Sequence, residues 1–234
     1  MKFVQISDLH IGGLFKQDAF NTIVQEVNND LKPDAIIISG DLTDDGLLFQ
    51  FQQARTEINK FNCSNLIIFP GNHDYRHTGY LLFKKFFPSS KQIYEFDDDA
   101  VLLTVGTARP DRDEGELGHR QNLWLEGTLS KYVNKTKIVA MHHHLIAIPD
   151  TGYANVVGIS DAGDILRACL ESKVDLVLCG HKHRPWLWNL GSLKIAYAGT
   201  ASSSRFRGFF QNTYNIIDIK KNNLSVKLKI VGGK

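Results

Sequence analysis

Thiols are scarce in this chain. Three cysteines, Cys63, Cys169 and Cys179, occur in 234 residues, with neither pairing nor zinc-ligand spacing. That argues against a disulfide framework and a thiolate metal site, and makes a reducing cytoplasm the expected home. Long apolar runs are missing too: none approaches the ~20 residues of a membrane span. The start, MKFVQISDLH, holds one lysine and a very short apolar run. A cleaved leader would remove Asp8 and His10, so none is expected. Charge of one sign is also lacking. With 27 basic and 25 acidic residues the net charge is +2, too weak a field to argue for nucleic acid. The lysines from Lys220 to Lys234 alternate with Leu, Val and Ile, as on a solvated strand face. Repeats, low-complexity tracts and long linkers are absent.

What remains is ordinary soluble composition, 43% hydrophobic and 22% charged, in a length that suits a single domain over residues 1–234. Short β-rich apolar runs alternate with helix-like segments. Strands are predicted at Phe3–Ile6, Ala35–Ser39, Leu66–Phe69, Val101–Val105, Ile138–Met141 and Leu176–Cys179. Helices are predicted at Asp18–Asn29, Leu47–Phe61, Tyr80–Phe87, Leu123–Tyr132 and Asp161–Ser172, the last with Ser160 as N-cap. The end of the chain reads as strands at Lys194–Ala198, Tyr214–Lys220 and Leu224–Val231, with a hairpin turn at "KKNNL". The pattern predicts an α/β fold, partly parallel, with an antiparallel C-terminal portion.

The polar residues fall in a pattern. Functional groups of open α/β sheets gather beyond the carboxyl ends of strands. Five runs here lead straight into a metal-binding type of side chain: Asp8 and His10 in "SDLH", Asp41 in "SGDLTDDG", Asn72 and His73 in "GNHD", His142 in "MHHH", and His181 and His183 in "GHKH". The i,i+2 pairs Asp8/His10 and His181/His183 would point to one side of an extended backbone. Gly40, Gly71 and Gly180 precede the polar groups and permit close backbone approach. Two carboxylates, one amide oxygen and four imidazoles exceed what one ion needs. They suit two divalent cations with Asp41 between them. Cys179 reads as a small buried hydrophobe. Any one DxH or HxH is weak evidence. Five in succession, each after an apolar run, carry the argument.

As an ordered set, "SDLH", "GDLTDDG", "GNHD", "MHHH" and "GHKH" resemble the calcineurin-like metallophosphoesterase superfamily. The stretches "SDLHIG", "GNHDYR" and "CGHKHRP" look most like its bacterial and archaeal cyclic-nucleotide phosphodiesterase group. The resemblance implies a four-layer αββα sandwich with two mixed β-sheets flanked by helices. It implies one metal held by Asp8, His10, Asp41 and His183 and another by Asp41, Asn72, His142 and His181. Mn²⁺ is expected, with Fe or Zn as alternatives. His142 is chosen from the triple His142–His144 because it directly follows the strand. His73 would be the catalytic histidine, oriented by Asp44, protonating the alkoxide that leaves when a metal-bridging hydroxide attacks phosphorus. Asp74 is read as a brace for the turn.

Arg76 and His143 are candidate substrate contacts. His144 is a candidate for the pocket wall, whereas Arg184, Arg205, Arg207, His77 and His119 read as surface residues. The expected substrate is a cyclic nucleotide or other small phosphodiester, with no membrane partner and room for a homodimer. The rival readings are a nuclease, a nucleotide-sugar pyrophosphatase or a phosphomonoesterase on the same site, or a scaffold without catalysis. The chain shows no cap helix and no missing ligand position.

Overall fold

The computed structural model describes residues 1–97, 99–149, 158–220 and 223–233. Eleven strands form two sheets among the described residues. The first sheet contains β1 (Lys2–Ile6), β2 (Ala35–Ser39), β3 (Leu66–Phe69), β10 (Thr213–Lys220) and β11 (Asn223–Ile230), in the order β11-β10-β1-β2-β3. The second contains β4 (Gln92–Phe96), β5 (Ala100–Thr104), β6 (Thr136–Ala140), β7 (Leu176–Cys179), β8 (Pro185–Leu190) and β9 (Leu193–Ala198), in the order β4-β5-β6-β7-β9-β8. β1, β2 and β3 are parallel, as are β5, β6, β7 and β9. The antiparallel strands β4, β8 and β11 lie at edges.

Three apolar layers follow from this. Side chains alternate across a strand, so each central strand feeds two cores. Val4, Ile36 and Ile38 pack outward against Phe20, Ile23, Phe51 and Phe83. Those four lie on α1 (Gln17–Gln25), α2 (Leu48–Ile58) and α3 (Gly79–Phe86). Val101, Val139 and Val177 pack outward against Leu125 of α4 (His119–Leu129) and Ile165 of α5 (Ala162–Glu171). Between the sheets Phe3, Ile37 and Ile67 meet Leu102, Ile138 and Leu178. The four-layer αββα sandwich is therefore present.

The local readings need four corrections. β4 and β8 were not expected. β8 opens on Pro185, which an edge strand tolerates at its first residue because no partner needs its missing N–H. The first helix runs in α form only to Gln25 and continues as a wider π turn to Leu31. α4 begins at His119 rather than Leu123. Ser160 does not cap α5. Asp161 occupies that position, and its carboxylate instead accepts bonds from the Leu117 and Gly118 amides at 3.0 and 2.7 Å. The turn expected at "KKNNL" involves Lys221 and Asn222, which lie outside the described residues. Among the described residues, no helix is long and apolar enough to cross a membrane.

Candidate metal centre

Parallel pairing sets β1, β2 and β3 with their carboxyl ends at one rim, and β6 and β7 do the same in the second sheet. The seven candidate ligands leave from those ends and are almost fully buried. Asp8, His10, Asp41 and His183 form one cluster with ligand atoms within 4.8 Å of one another, and Asp41, His142 and His181 form a second. Asn72 joins the second, its Oδ1 lying 3.1 Å from His142 Nε2 and 3.0 Å from His181 Nδ1. Asp41 belongs to both. Its Oδ2 is 3.6 Å from His10 Nε2 and 3.3 Å from His142 Nε2, while Oδ1 accepts the His73 amide at 2.9 Å.

The backbone carrying these groups is not extended, contrary to the i,i+2 reading. Asp8, His10, Asp41, His181 and His183 all have positive φ, between 52° and 74°. Left-handed backbone costs a side-chain-bearing residue about 1–2 kcal/mol, and such strain gathers at functional sites. The pairs converge through tight turns, not a strand. Glycine makes room for those turns. A Cβ on Gly40 would stand 2.5 Å from His142 Nδ1, and one on Gly71 would collide with the Asp41 carboxylate. Asp74, fully buried, ties two of the loops together. It accepts the amides of Gly71 (2.9 Å), Leu42 (3.1 Å) and Thr43 (2.8 Å) and the Thr43 hydroxyl (2.8 Å).

Hydrogen bonding sets the imidazole tautomers. A carbonyl can only accept, so a ring nitrogen bonded to one carries the proton. His142 Nδ1 donates to the Ser39 carbonyl at 2.8 Å, and His183 Nδ1 donates to that of Arg205. His10 Nδ1 donates to the Asp44 carboxylate at 3.2 Å. That turns the Nε2 atoms of all three rings inward, the arrangement that orients metal-binding histidines. His10 Nε2 and His183 Nε2 stand 2.8 Å apart. Nitrogens that close need a cation between them, either a metal ion or a proton shared by the two rings. Bond lengths of about 2.0–2.2 Å put neighbouring ligand atoms about 3.0–3.5 Å apart, close to the spacings within both clusters. The donor set therefore fits two divalent cations.

In the metal-free centre, burial and neighbouring charges decide which of these groups carry protons. Burial lowers His10 to about 4, against a partial pull upward from Asp44, so its ring is neutral near pH 7. Burial also drives His181 well below the usual range. Burial opposes charge on Asp41 and Asp8 as well. The imidazoles beside them, chiefly His142 for Asp41 and His183 for Asp8, outweigh it and hold both carboxyls low. His142 is raised to about 9 because Asp41 overcomes its burial penalty. A cation entering the second cluster must displace that proton. Asp74 is pushed up to about 7 by burial and by the nearby charge of Asp41.

The remaining candidates divide. His73 packs edge-on against His10, with ring centroids 4.5 Å apart, and its Nδ1 donates to the Asp44 backbone carbonyl at 2.6 Å. The Asp44 carboxylate is 3.7 Å from that nitrogen and bonds His10 instead. Asp44 thus orients His73 through its main chain, which corrects the expected side-chain contact. Arg76 reaches the same carbonyl at 3.2 Å and lies 3.6 Å from both Asp45 and Asp113. His143 is fully buried. Its Nε2 donates to the Asp113 carbonyl at 3.2 Å and its Nδ1 pairs with the Thr107 hydroxyl at 2.8 Å, leaving no ring nitrogen for a substrate. His144 stacks on His181 at 5.5 Å and 8°.

Asp113 was missed in the sequence. Its carboxylate accepts the Asn72 amide Nδ2 at 3.1 Å and so turns Oδ1 toward His142 and His181. "RPDRDEGE" carries four acidic residues and is set off from the preceding strand by Gly106, Thr107 and Ala108, so nothing in the order of the chain singles out this one.

The model of the calcineurin-like phosphoesterase family matches residues 1–185. A glycerophosphodiester phosphodiesterase of Enterobacter lignolyticus is 30% identical over 201 residues, spanning 78% of this chain and 71% of that protein. A cAMP/cGMP dual specificity phosphodiesterase of Mycobacterium tuberculosis is 26% identical over 198 residues, spanning 77% of this chain and 61% of that protein. A dimetal phosphatase from Danio rerio shares the fold with a TM-score of 0.73 over 99% of this chain and 98% of its own, at 11% identity.

Proposed function

This chain belongs to the calcineurin-like phosphoesterase family, and from that premise we propose that it hydrolyses small phosphodiesters, cyclic nucleotides among them, at a two-metal centre in the cytoplasm. The observation that carries the reading is the convergence of His10 Nε2 and His183 Nε2, 2.8 Å apart, beside a carboxylate oxygen of Asp41 shared with a second cluster. Asp8, His10, Asp41 and His183 would hold one cation, and Asp41, Asn72, His142 and His181 the other. Nitrogen and oxygen ligands without thiolate suit Mn²⁺, Fe or Zn²⁺, with Mn²⁺ the expected activator. Bound there, the two ions supply Lewis-acid polarisation of the phosphoryl group and a water acidic enough to act at neutral pH.

The protein's own groups do the rest. Asp8 and Asp41 bring two negative charges, fewer than two divalent ions carry, so the centre attracts a phosphate anion. Asn72 adds a donor oxygen without adding charge. His73, its Nδ1–H held by the Asp44 carbonyl, keeps Nε2 for proton transfer. As an imidazolium it gives that proton to the leaving alkoxide, and general acid help is worth about 10²–10⁴-fold. Arg76, which shares the Asp44 carbonyl with His73, would meet a substrate oxygen. The test is steady-state turnover of the metal-loaded protein on 3′,5′- and 2′,3′-cyclic nucleotides, glycerophosphoethanolamine, bis(p-nitrophenyl) phosphate, p-nitrophenyl phosphate and DNA. Small diesters should be turned over fastest. A strong preference for the monoester, or cleavage confined to DNA, overturns the reading.

A further inference from the structure

The segment after β9 has no part in holding metal, yet it is fastened to the centre. Thr200 Oγ1 donates to the Asp8 carbonyl at 2.7 Å and Ser202 Oγ to that of Leu9 at 3.2 Å. The Lys16 amide bonds the Ser202 carbonyl at 2.7 Å. The Arg205 carbonyl accepts the Nδ1–H of the candidate ligand His183. From this anchored base "RFRGFF" (205–210) projects to the surface.

Gly208, with φ of +72°, reverses the chain, and a Cβ there would meet the Arg184 guanidinium at 3.1 Å. The turn brings Phe206 and Phe210 together edge to face, with centroids 6.4 Å apart. Phe210 is 79% exposed, and Lys16 Nζ stands 4.4 Å above the Phe206 ring. Phe206 is one residue, about 3.8 Å of chain, beyond the carbonyl that His183 touches. Arg207, partly buried, adds a second cation to the same turn.

We propose that Phe206 and Phe210 form the platform on which the base of a nucleotide stacks while its phosphate occupies the metal centre. This rests on the phosphodiesterase reading and narrows it to nucleotides. A ligand that suits both parts must carry a phosphate and an aromatic face at once. A groove that combines cations with exposed aromatic rings binds bases in a sequence-tolerant way, since every base has a π-face. Lys16 and Arg207 complement the anionic side of the same ligand, and because Lys16 covers one face of Phe206, the exposed ring of Phe210 is the one that takes the base. A glycerol-type group has nothing to place on these rings.

Calorimetric titration of the manganese-supplemented full chain with 5′-AMP and with ribose 5-phosphate isolates the base. The wild type should bind AMP roughly 5- to 150-fold more tightly than ribose 5-phosphate, the range expected for stacking one base. Phe210→Ala should erase most of that preference while leaving the ribose 5-phosphate affinity in place. Phe210→Trp should keep or increase it. Equal affinities in the wild type, or a preference that survives Phe206→Ala/Phe210→Ala, overturns the platform. Failure of the phosphodiesterase reading is seen separately, as absence of turnover on every diester, and the binding comparison still decides the platform in that case.

Discussion

Asp74→Ala tests how the two loops of the first sheet are held. In the wild type one buried carboxylate accepts from the amides of Gly71, Leu42 and Thr43 and from the Thr43 hydroxyl. Alanine leaves four donors without their partner. Each buried unsatisfied group costs about 1–3 kcal/mol. The hydroxyl is able to rotate, and water enters the space vacated, so the sum is about 3–5 kcal/mol and not the upper bound. With a urea m-value of about 3 kcal/mol/M for a chain of this size, the unfolding midpoint should fall by about 1–1.7 M. Urea titration of the metal-free protein, followed by far-UV circular dichroism, measures it. Gly71 abuts Asp41, so the variant should also bind metal more weakly. A midpoint within about 0.3 M of wild type, with two ions retained, would refute the bracing role.

Four further outcomes are expected. Asp41→Asn should lose both ions together, which metal analysis of the purified variant measures; two tightly held ions with normal turnover would exclude a shared ligand. His73→Ala should keep two ions and lose about 10²–10⁴-fold in kcat on poor leaving groups, but much less on bis(p-nitrophenyl) phosphate; an equal loss on both contradicts the acid role. Asp113→Ala should weaken the Asn72 cluster's cation more than the other, while Asp113→Asn, which keeps an acceptor, should largely preserve it; competitive titration with a chelator distinguishes them.

The fourth outcome concerns pH. Burial depresses His10 to about 4 and His144 to about 3, with His143 and His181 also well below 6.5. At these four rings the unfolded state binds more protons between about pH 4 and 6.5, while Asp74, raised to about 7, opposes them as a single group, so metal-free stability should rise on balance over that range. His142 is raised to about 9, so its contribution is fully present below 6.5 and lost as pH climbs through 9. A flat profile from thermal unfolding between pH 4 and 9 would contradict both signs.

Much of the centre was legible because a parallel sheet converts chain order into proximity. Each buried run such as Ile36–Ser39 or Leu176–Cys179 ends at the same rim, so the residue types that follow it meet. What was illegible depends on backbone detail. The left-handed turns at Asp8 and His181 leave no mark in the order of residues, and neither does the use of the Asp44 main chain in place of its side chain. His143 looked available because its neighbour is a candidate ligand; only the fold reveals Thr107 and Asp113 on its two nitrogens. β8 was hidden by Pro185 and by two tryptophans that turn toward the core of their own sheet.

Asp8, His10, Asp41 and Asn72 follow strands of one sheet, and His142, His181 and His183 follow strands of the other. Any ion held there is a rivet through the seam of the sandwich. Sliding one sheet over the other would pull the donors out of register, so cation affinity works as a gauge of sheet alignment. Trimming a side chain in the layer between the sheets, such as Phe3 or Ile138, should then loosen the grip of the distant centre, though neither touches a ligand.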